Sequence, residues 1–212
     1  MMKYIYEFIG TFFLVFTVGL TVANPGSMGL WAPLAIGSIL AVMVYAGAHI
    51  SGGHYNPAIS FAVFLRKQLE AKDLWIYWAV QLLAGVLAAL LVVYFKGGMN
   101  SQAIPNRDVL KIFLGEFLFT FALCYVALQT TTVKATAGNS FFGWAIGFTV
   151  LAGAYALGTI SSAAFNPAVA LGVSILRLSP WSHLLIYFFA NLLGGAVAAW
   201  LLNASHSRST AK

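Results

Sequence analysis

Six stretches of about twenty apolar residues set the first constraint on this chain. They run over residues 4–23, 31–50, 74–95, 110–130, 141–158 and 182–202. Each has the length a helix needs to cross a hydrocarbon core of about 30 Å. Two further apolar stretches, 56–65 and 166–176, reach only about half that span. The first stretch is expected to be a retained span and not a cleaved leader. Glu7 falls inside it, and no small-residue cleavage site follows.

Composition excludes a soluble fold. Of 212 residues, 61% are hydrophobic and 8% charged, against about 45–50% and about 25% in soluble domains. Lipid is the expected solvent, and the 20 glycines suit helices packed closely within it. The net charge of +6 does not point to nucleic acid, because basic residues stand singly between apolar runs. Cys124, the one cysteine, cannot form an internal disulfide and reads as a small buried hydrophobe.

An even number of spans puts both termini on one side. That side carries Lys3, Arg66, Lys67, Lys72, Lys134, Arg208 and Lys212, and the other Lys96, Arg107, Lys111 and Arg177. The excess predicts cytoplasmic termini in a plasma (inner) membrane.

The chain is also one unit written twice, about 1–105 and about 106–212, within a single domain of 1–212. EFIGTFFL at 7–14 recurs as EFLFTFAL at 116–123. Ala35-Ile36-Gly37 recurs as Ala145-Ile146-Gly147, and Asn56-Pro57-Ala58 as Asn166-Pro167-Ala168, at an offset of 110. Three full spans per unit is an odd number, so the second copy is inserted upside down. Inverted repeats of this kind place their site near the midplane, often on broken helices. The fold class is therefore all-α, with six transmembrane helices and two re-entrant half-helices.

Asn-Pro-Ala explains how the half-helices begin. Asparagine is a preferred N-cap, and proline suits the next position, where its missing N–H has no helical partner. Asn56 to Arg66 is 10 residues and Asn166 to Arg177 is 11. At 1.5 Å each, these reach about half-way across the membrane. The two N-termini then meet near the middle, each carrying about half a positive charge that repels cations. Each asparagine keeps an NH₂ donor for the pore. That combination suits a channel for small uncharged molecules.

At these residues the chain resembles the major intrinsic protein family, the aquaporins and glycerol facilitators. The resemblance is carried by HISGGHYNPA at 49–58, the second Asn-Pro-Ala at 166–168 and the glutamate in spans one and four. It implies a homotetramer with one pore per subunit, no cofactor, and a second, narrower filter outside the asparagine pair. Counted from the asparagines, the filter positions are Ile36, Ala154, Ala163 and Val169. The family usually has arginine where this chain reads NPAVALG, with Val169. A bulky aromatic and a histidine are likewise replaced by Ile36 and Ala154. The expectation is a wide, apolar, uncharged outer filter.

Glu7 and Glu116 are expected to accept hydrogen bonds from the non-helical backbone that leads into each half-helix, because such backbone must be satisfied within the protein. His49 and His54 are read as pore-loop residues that line or brace the entry to the first half-helix. They lack the partners of a metal site. Gly85, Gly194 and Gly195 read as helix-packing positions. Trp31, Trp75, Trp78 and Trp181 read as interface anchors.

The expected partners are water, small neutral solutes and the bilayer. A water-selective pore fits these filter residues less well than one for glycerol, urea, ammonia or neutral metalloid acids. A secondary transporter would also use inverted repeats, but coupling needs ion-binding groups where this midplane has asparagines. A membrane enzyme at His49 and His54 lacks a nucleophile or an orienting carboxylate beside them.

Overall fold

A computed structural model describes residues 1–23, 26–98 and 108–209. The boundary between repeats, Arg107 and Lys212 lie outside the described residues. Among those described, the chain forms α1 (Met2–Val22), α2 (Ala32–Ser51), α3 (Pro57–Leu65), α4 (Ala71–Phe95), α5 (Val109–Thr132), α6 (Phe142–Ser161), α7 (Pro167–Ile175) and α8 (Leu184–Ser209). Six of these are long and apolar enough to span a bilayer. The half-helices α3 and α7 have 9 residues each, about 13 Å of rise.

The two repeats interlock. Within each, the first long helix packs on the second and the third: α1 on α2 and α4, α5 on α6 and α8. Between them, α2 packs on α6, and each half-helix crosses to the other repeat, α3 to α8 and α7 to α4. Small residues permit these crossings. A Cβ on Gly85 would stand 2.8 Å from the carbonyl of Ala168, and one on Gly195 would stand 2.8 Å from that of Ala58. Gly37 and Gly147 face each other's carbonyls across the α2–α6 contact. Bilayer-spanning helices associate through such close backbone approach, since lipid supplies no hydrophobic drive between them.

Insertion of the second copy upside down is visible in one vestibule. It brings together Lys3 at the start of α1, Asp73 at the start of α4, Thr130–Thr132 at the end of α5 and Asn139 in the connection to α6. Lys3 pairs with Asp73 at 2.6 Å, and Tyr4 donates to the same carboxylate at 2.8 Å. At the end of α3, Arg66 donates to Asn203 of α8 at 2.8 Å, and Asn203 donates back to the Leu65 carbonyl at 3.2 Å.

The outward faces are apolar. Ile5, Ile9 and Phe13 form an i, i+4 stripe on α1, and Leu185, Phe189 and Trp200 are exposed on α8. Contiguous patches of this kind are unsuited to water and natural to lipid. Trp31, Trp75 and Trp181 are exposed beside helix starts, where headgroups would lie. Trp78 departs from the anchor reading: its indole N–H donates to the Pro57 carbonyl at 2.9 Å and braces α3 from within.

Candidate functional site: the meeting of the half-helices

Each half-helix is reached through a tight loop from a long helix, 52–56 after α2 and 162–166 after α6. The loops have matching backbones. Gly52, Gly53 and Tyr55 have φ of 89°, 64° and 49°, and Ser162, Ala163 and Phe165 have 71°, 49° and 47°. The first loop places glycine at two of these left-handed positions, where it carries no Cβ penalty. The second adopts them with side chains, each at a cost of about 1–3 kcal/mol that its surroundings must offset.

Two buried carboxylates provide the offset. Glu7 accepts from Ser51 Oγ at 2.7 Å, the amides of His54 at 2.9 Å and Tyr55 at 2.7 Å, and Gln81 Nε2 at 2.8 Å. Glu116 accepts from Ser161 Oγ at 2.7 Å, the amides of Ala164 at 2.9 Å and Phe165 at 2.7 Å, and Asn191 Nδ2 at 3.0 Å. Both side chains are 0% exposed. Four donors on two oxygens suit a group that only accepts, as an ionised carboxylate does. Tyr77 and Tyr187 complete the brace, donating to the Ser51 and Ser161 carbonyls at 2.7 Å each.

The asparagines then do two things at once. Asn56 Oδ1 accepts from the Ala58 amide at 2.9 Å and Asn166 Oδ1 from the Ala168 amide at 2.8 Å, capping α3 and α7. Asn56 Nδ2 donates to the Phe165 carbonyl and Asn166 Nδ2 to the Tyr55 carbonyl, both at 2.9 Å. Each loop thus holds the other's cap. One of the two amide hydrogens on each asparagine is thereby used, and the other remains for a solute.

A cavity of about 420 Å³ opens beyond this clasp. Ile36, Ala154, Ala163 and Val169 all line it, together with Asn56, Asn166 and His54. The rest of its wall is mainly Leu, Ile and Val, and among the described residues no Lys, Arg, Asp or Glu lines it. On the other side lies the vestibule of about 670 Å³, which carries Lys3, Glu70 and Asp73. His54 lines both chambers. Its position at their junction makes it the waist of the molecule.

His49 is corrected. No glycine or proline interrupts Ala48-His49-Ile50-Ser51, so α2 runs on to Ser51 and carries His49 in its last turn. There it is exposed, edge-on to Tyr6 with ring centroids 6.3 Å apart. It lines neither chamber. Sequence reasoning also passed over Tyr77, Tyr187, Gln81 and Asn191. The signal was available, because each pair stands 110 apart, like the asparagines.

Comparison with known proteins agrees with this architecture. The family profile described as "Major intrinsic protein" matches residues 1–202. Nodulin-26 of Glycine max is 34% identical over 95% of this chain and 76% of its own length. Glycerol uptake facilitator protein-like 6 of Lactiplantibacillus plantarum is 33% identical over 94% of this chain and 96% of its own. The crystal structure of the aquaglyceroporin from Plasmodium falciparum superposes with a TM-score of 0.79 over 93% of each chain. At 21% identity, that match speaks for the fold alone. Paired Asn-Pro-Ala caps, six spans, an inverted repeat and a profile match over nearly the whole chain place it in the major intrinsic protein family.

Proposed function

We propose that residues 1–212 form one channel domain whose outer filter is wide, apolar and uncharged. Solutes such as glycerol, urea, ammonia and neutral metalloid acids then pass alongside water. The protein is a passive membrane channel for water and small solutes, as its family membership states. The observation that carries the broader selectivity is the outer chamber. Ile36, Ala154, Ala163 and Val169 share one wall with the capping asparagines, and no charged side chain among the described residues interrupts it. Without a filter cation, exclusion of cations falls to the two half-helix N-termini, each worth about half a positive charge.

The remaining roles follow from the geometry. Asn56-Pro57-Ala58 and Asn166-Pro167-Ala168 form the central constriction, with one free amide hydrogen on each asparagine. Glu7 and Glu116 are scaffold, since their oxygens are fully engaged by the loops. His54 lines the pore. The exposed apolar stripes are suited to lipid and to neighbouring copies in a homotetramer. The basic loop residues favour cytoplasmic termini in a plasma membrane. No step here calls for catalysis, a cofactor or a coupled ion.

Stopped-flow light scattering on proteoliposomes tests this reading. After a glycerol or boric acid step, vesicles should shrink and then re-swell well above the rate of empty liposomes. Shrinkage without re-swelling refutes the wide filter and leaves a water channel. Solute uptake that requires an ion gradient refutes the passive reading.

A further inference from the structure

The waist carries an asymmetry that the two-fold repeat does not require. His54 and Ser60 are replaced by Ala164 and Ala170 at the equivalent places in the second repeat. Gln81 and Asn191 are also equivalent, and both bind their repeat's glutamate. Gln81 reaches on to Ser60 Oγ at 3.0 Å, whereas Asn191 reaches Thr120 Oγ1 at 2.9 Å. The first repeat therefore contains a chain, Gln81–Ser60–His54, that ends on an imidazole between the two chambers.

The hydrogen-bond roles along that chain follow from where the serine hydroxyl donates. Ser60 Oγ is 3.2 Å from the Asn56 carbonyl, the i−4 acceptor to which a serine hydroxyl within a helix donates. Gln81 Nε2 can only donate to the serine oxygen. His54 Nδ1 lies 3.1 Å from the same oxygen, whose one hydrogen is already committed. With the hydroxyl on the Asn56 carbonyl, Nδ1 donates to Ser60 Oγ and carries the ring's proton. The edge-on contact with Tyr77, centroids 5.3 Å apart, holds the ring in place. Among the described residues, no protein group bonds Nε2.

We propose that Ser60, held by Gln81, is a positioning residue that locks His54 in the Nδ1–H tautomer. Bare Nε2 is then the side-chain acceptor at the waist. With one free amide hydrogen on each asparagine close by, the waist matches neutral solutes that both donate and accept: water, polyols and boric acid. The substrate class rests on the reading of the two chambers as one solute path; the tautomer does not.

Solid-state ¹⁵N spectra of histidine-labelled protein in liposomes read the tautomer, with His54→Asn assigning the His54 signals. The wild type and Ser60→Thr should show a protonated Nδ1 and a bare Nε2, and Ser60→Ala a proton moved wholly or partly to Nε2. Glycerol permeability of Ser60→Ala should fall about fivefold, the equivalent of one hydrogen bond of ~1 kcal/mol, and Ser60→Thr should retain it. A wild-type proton on Nε2, or a Ser60→Ala spectrum identical to wild type, overturns the proposal. An unchanged glycerol permeability in Ser60→Ala overturns the substrate class. Should Ser60→Ala fail to fold, the wild-type spectrum decides the tautomer, and the Ser60→Thr permeability decides the rest. A wild type that passes no solute sinks the channel reading and leaves the tautomer result standing.

Discussion

Replacing Glu116 by glutamine keeps the shape of the side chain and removes half of its accepting capacity. In the wild type, one oxygen takes Ser161 Oγ and the Ala164 amide, and the other takes the Phe165 amide and Asn191 Nδ2. A glutamine NH₂ must face one of these pairs. Facing Phe165 and Asn191, it sets donors against donors and orphans a buried backbone N–H. Facing Ser161 and Ala164, it lets the serine hydroxyl turn to accept but still orphans the Ala164 amide. The surviving bonds also lose their charge. Hydrogen bonds to charged groups are worth about 1.5–3 kcal/mol, so losing two of them costs about 3–6 kcal/mol. At about 2–4 °C per kcal/mol for a chain this size, Glu116→Gln should lower the midpoint by about 6–24 °C. Intrinsic tryptophan fluorescence during heating of the solubilised protein measures it. Glu7→Gln should fall in the same range, because its four donors are the same in kind. Glu70→Gln, an exposed carboxylate at the start of α4, should move the midpoint by no more than about 2–4 °C, since a surface charge there is worth up to ~1 kcal/mol. A drop below about 3 °C in both buried variants refutes the scaffold argument. A large drop in only one refutes the equivalence of the two loops.

Other perturbations separate the filter from the scaffold. Val169→Arg should lower glycerol permeability at least about tenfold, a barrier of ~1.4 kcal/mol, while water permeability in the same vesicles persists. Methylurea should exceed urea in channel-mediated permeability by about fourfold, since one methyl leaving water for an apolar wall is worth ~0.8 kcal/mol. Val169→Thr, nearly isosteric, should shrink that ratio. Gly85→Ala and Gly195→Ala should each cost about 1–3 kcal/mol, because the new Cβ meets a half-helix carbonyl; thermal melts check both. Asn166→Asp keeps the cap but exchanges its donation to Tyr55 for a negative charge at the waist, and planar-bilayer recordings should show a cation current absent from wild type.

Much of this architecture was written locally in the chain. Apolar runs of span length gave six membrane helices, and Asn-Pro-Ala with a half-length run gave α3 and α7. What stayed hidden depended on partners far along the sequence. Nothing local says that α3 packs on α8, or that Trp78 turns inward to the Pro57 carbonyl. The second span, 31–50, ends within one residue of α2, yet His49 was placed in the pore loop because it stands beside the glycines of HISGGHYNPA, although the first helix-stopping residue is Gly52. The second loop reached the same left-handed conformations through Ser162, Ala163 and Phe165, so its backbone could not be inferred from glycine content. Glu116 and its four donors impose it.

The repeat separates scaffold from lumen. Where equivalent residues coincide, as in Glu7 and Glu116, Ser51 and Ser161, Tyr77 and Tyr187, or Asn56 and Asn166, the bonds they make also coincide. These pairs hold two loops of matching backbone against each other. Other departures fall on the cavity wall: of His54 and Ala164, and of Gly53 and Ala163, at least one member lines the path. Ile59 and Val169 differ by a methylene and both line the outer chamber. Two-fold interlocking demands matched asparagines where the repeats clasp, because a change in one removes its hold on the opposite loop. A solute crosses the two halves in sequence, so the lumen is under no such demand. Residues that depart from the repeat at cavity-lining positions are therefore where selectivity can differ between chains sharing this scaffold. In this chain they leave an apolar outer chamber and a single imidazole at the waist.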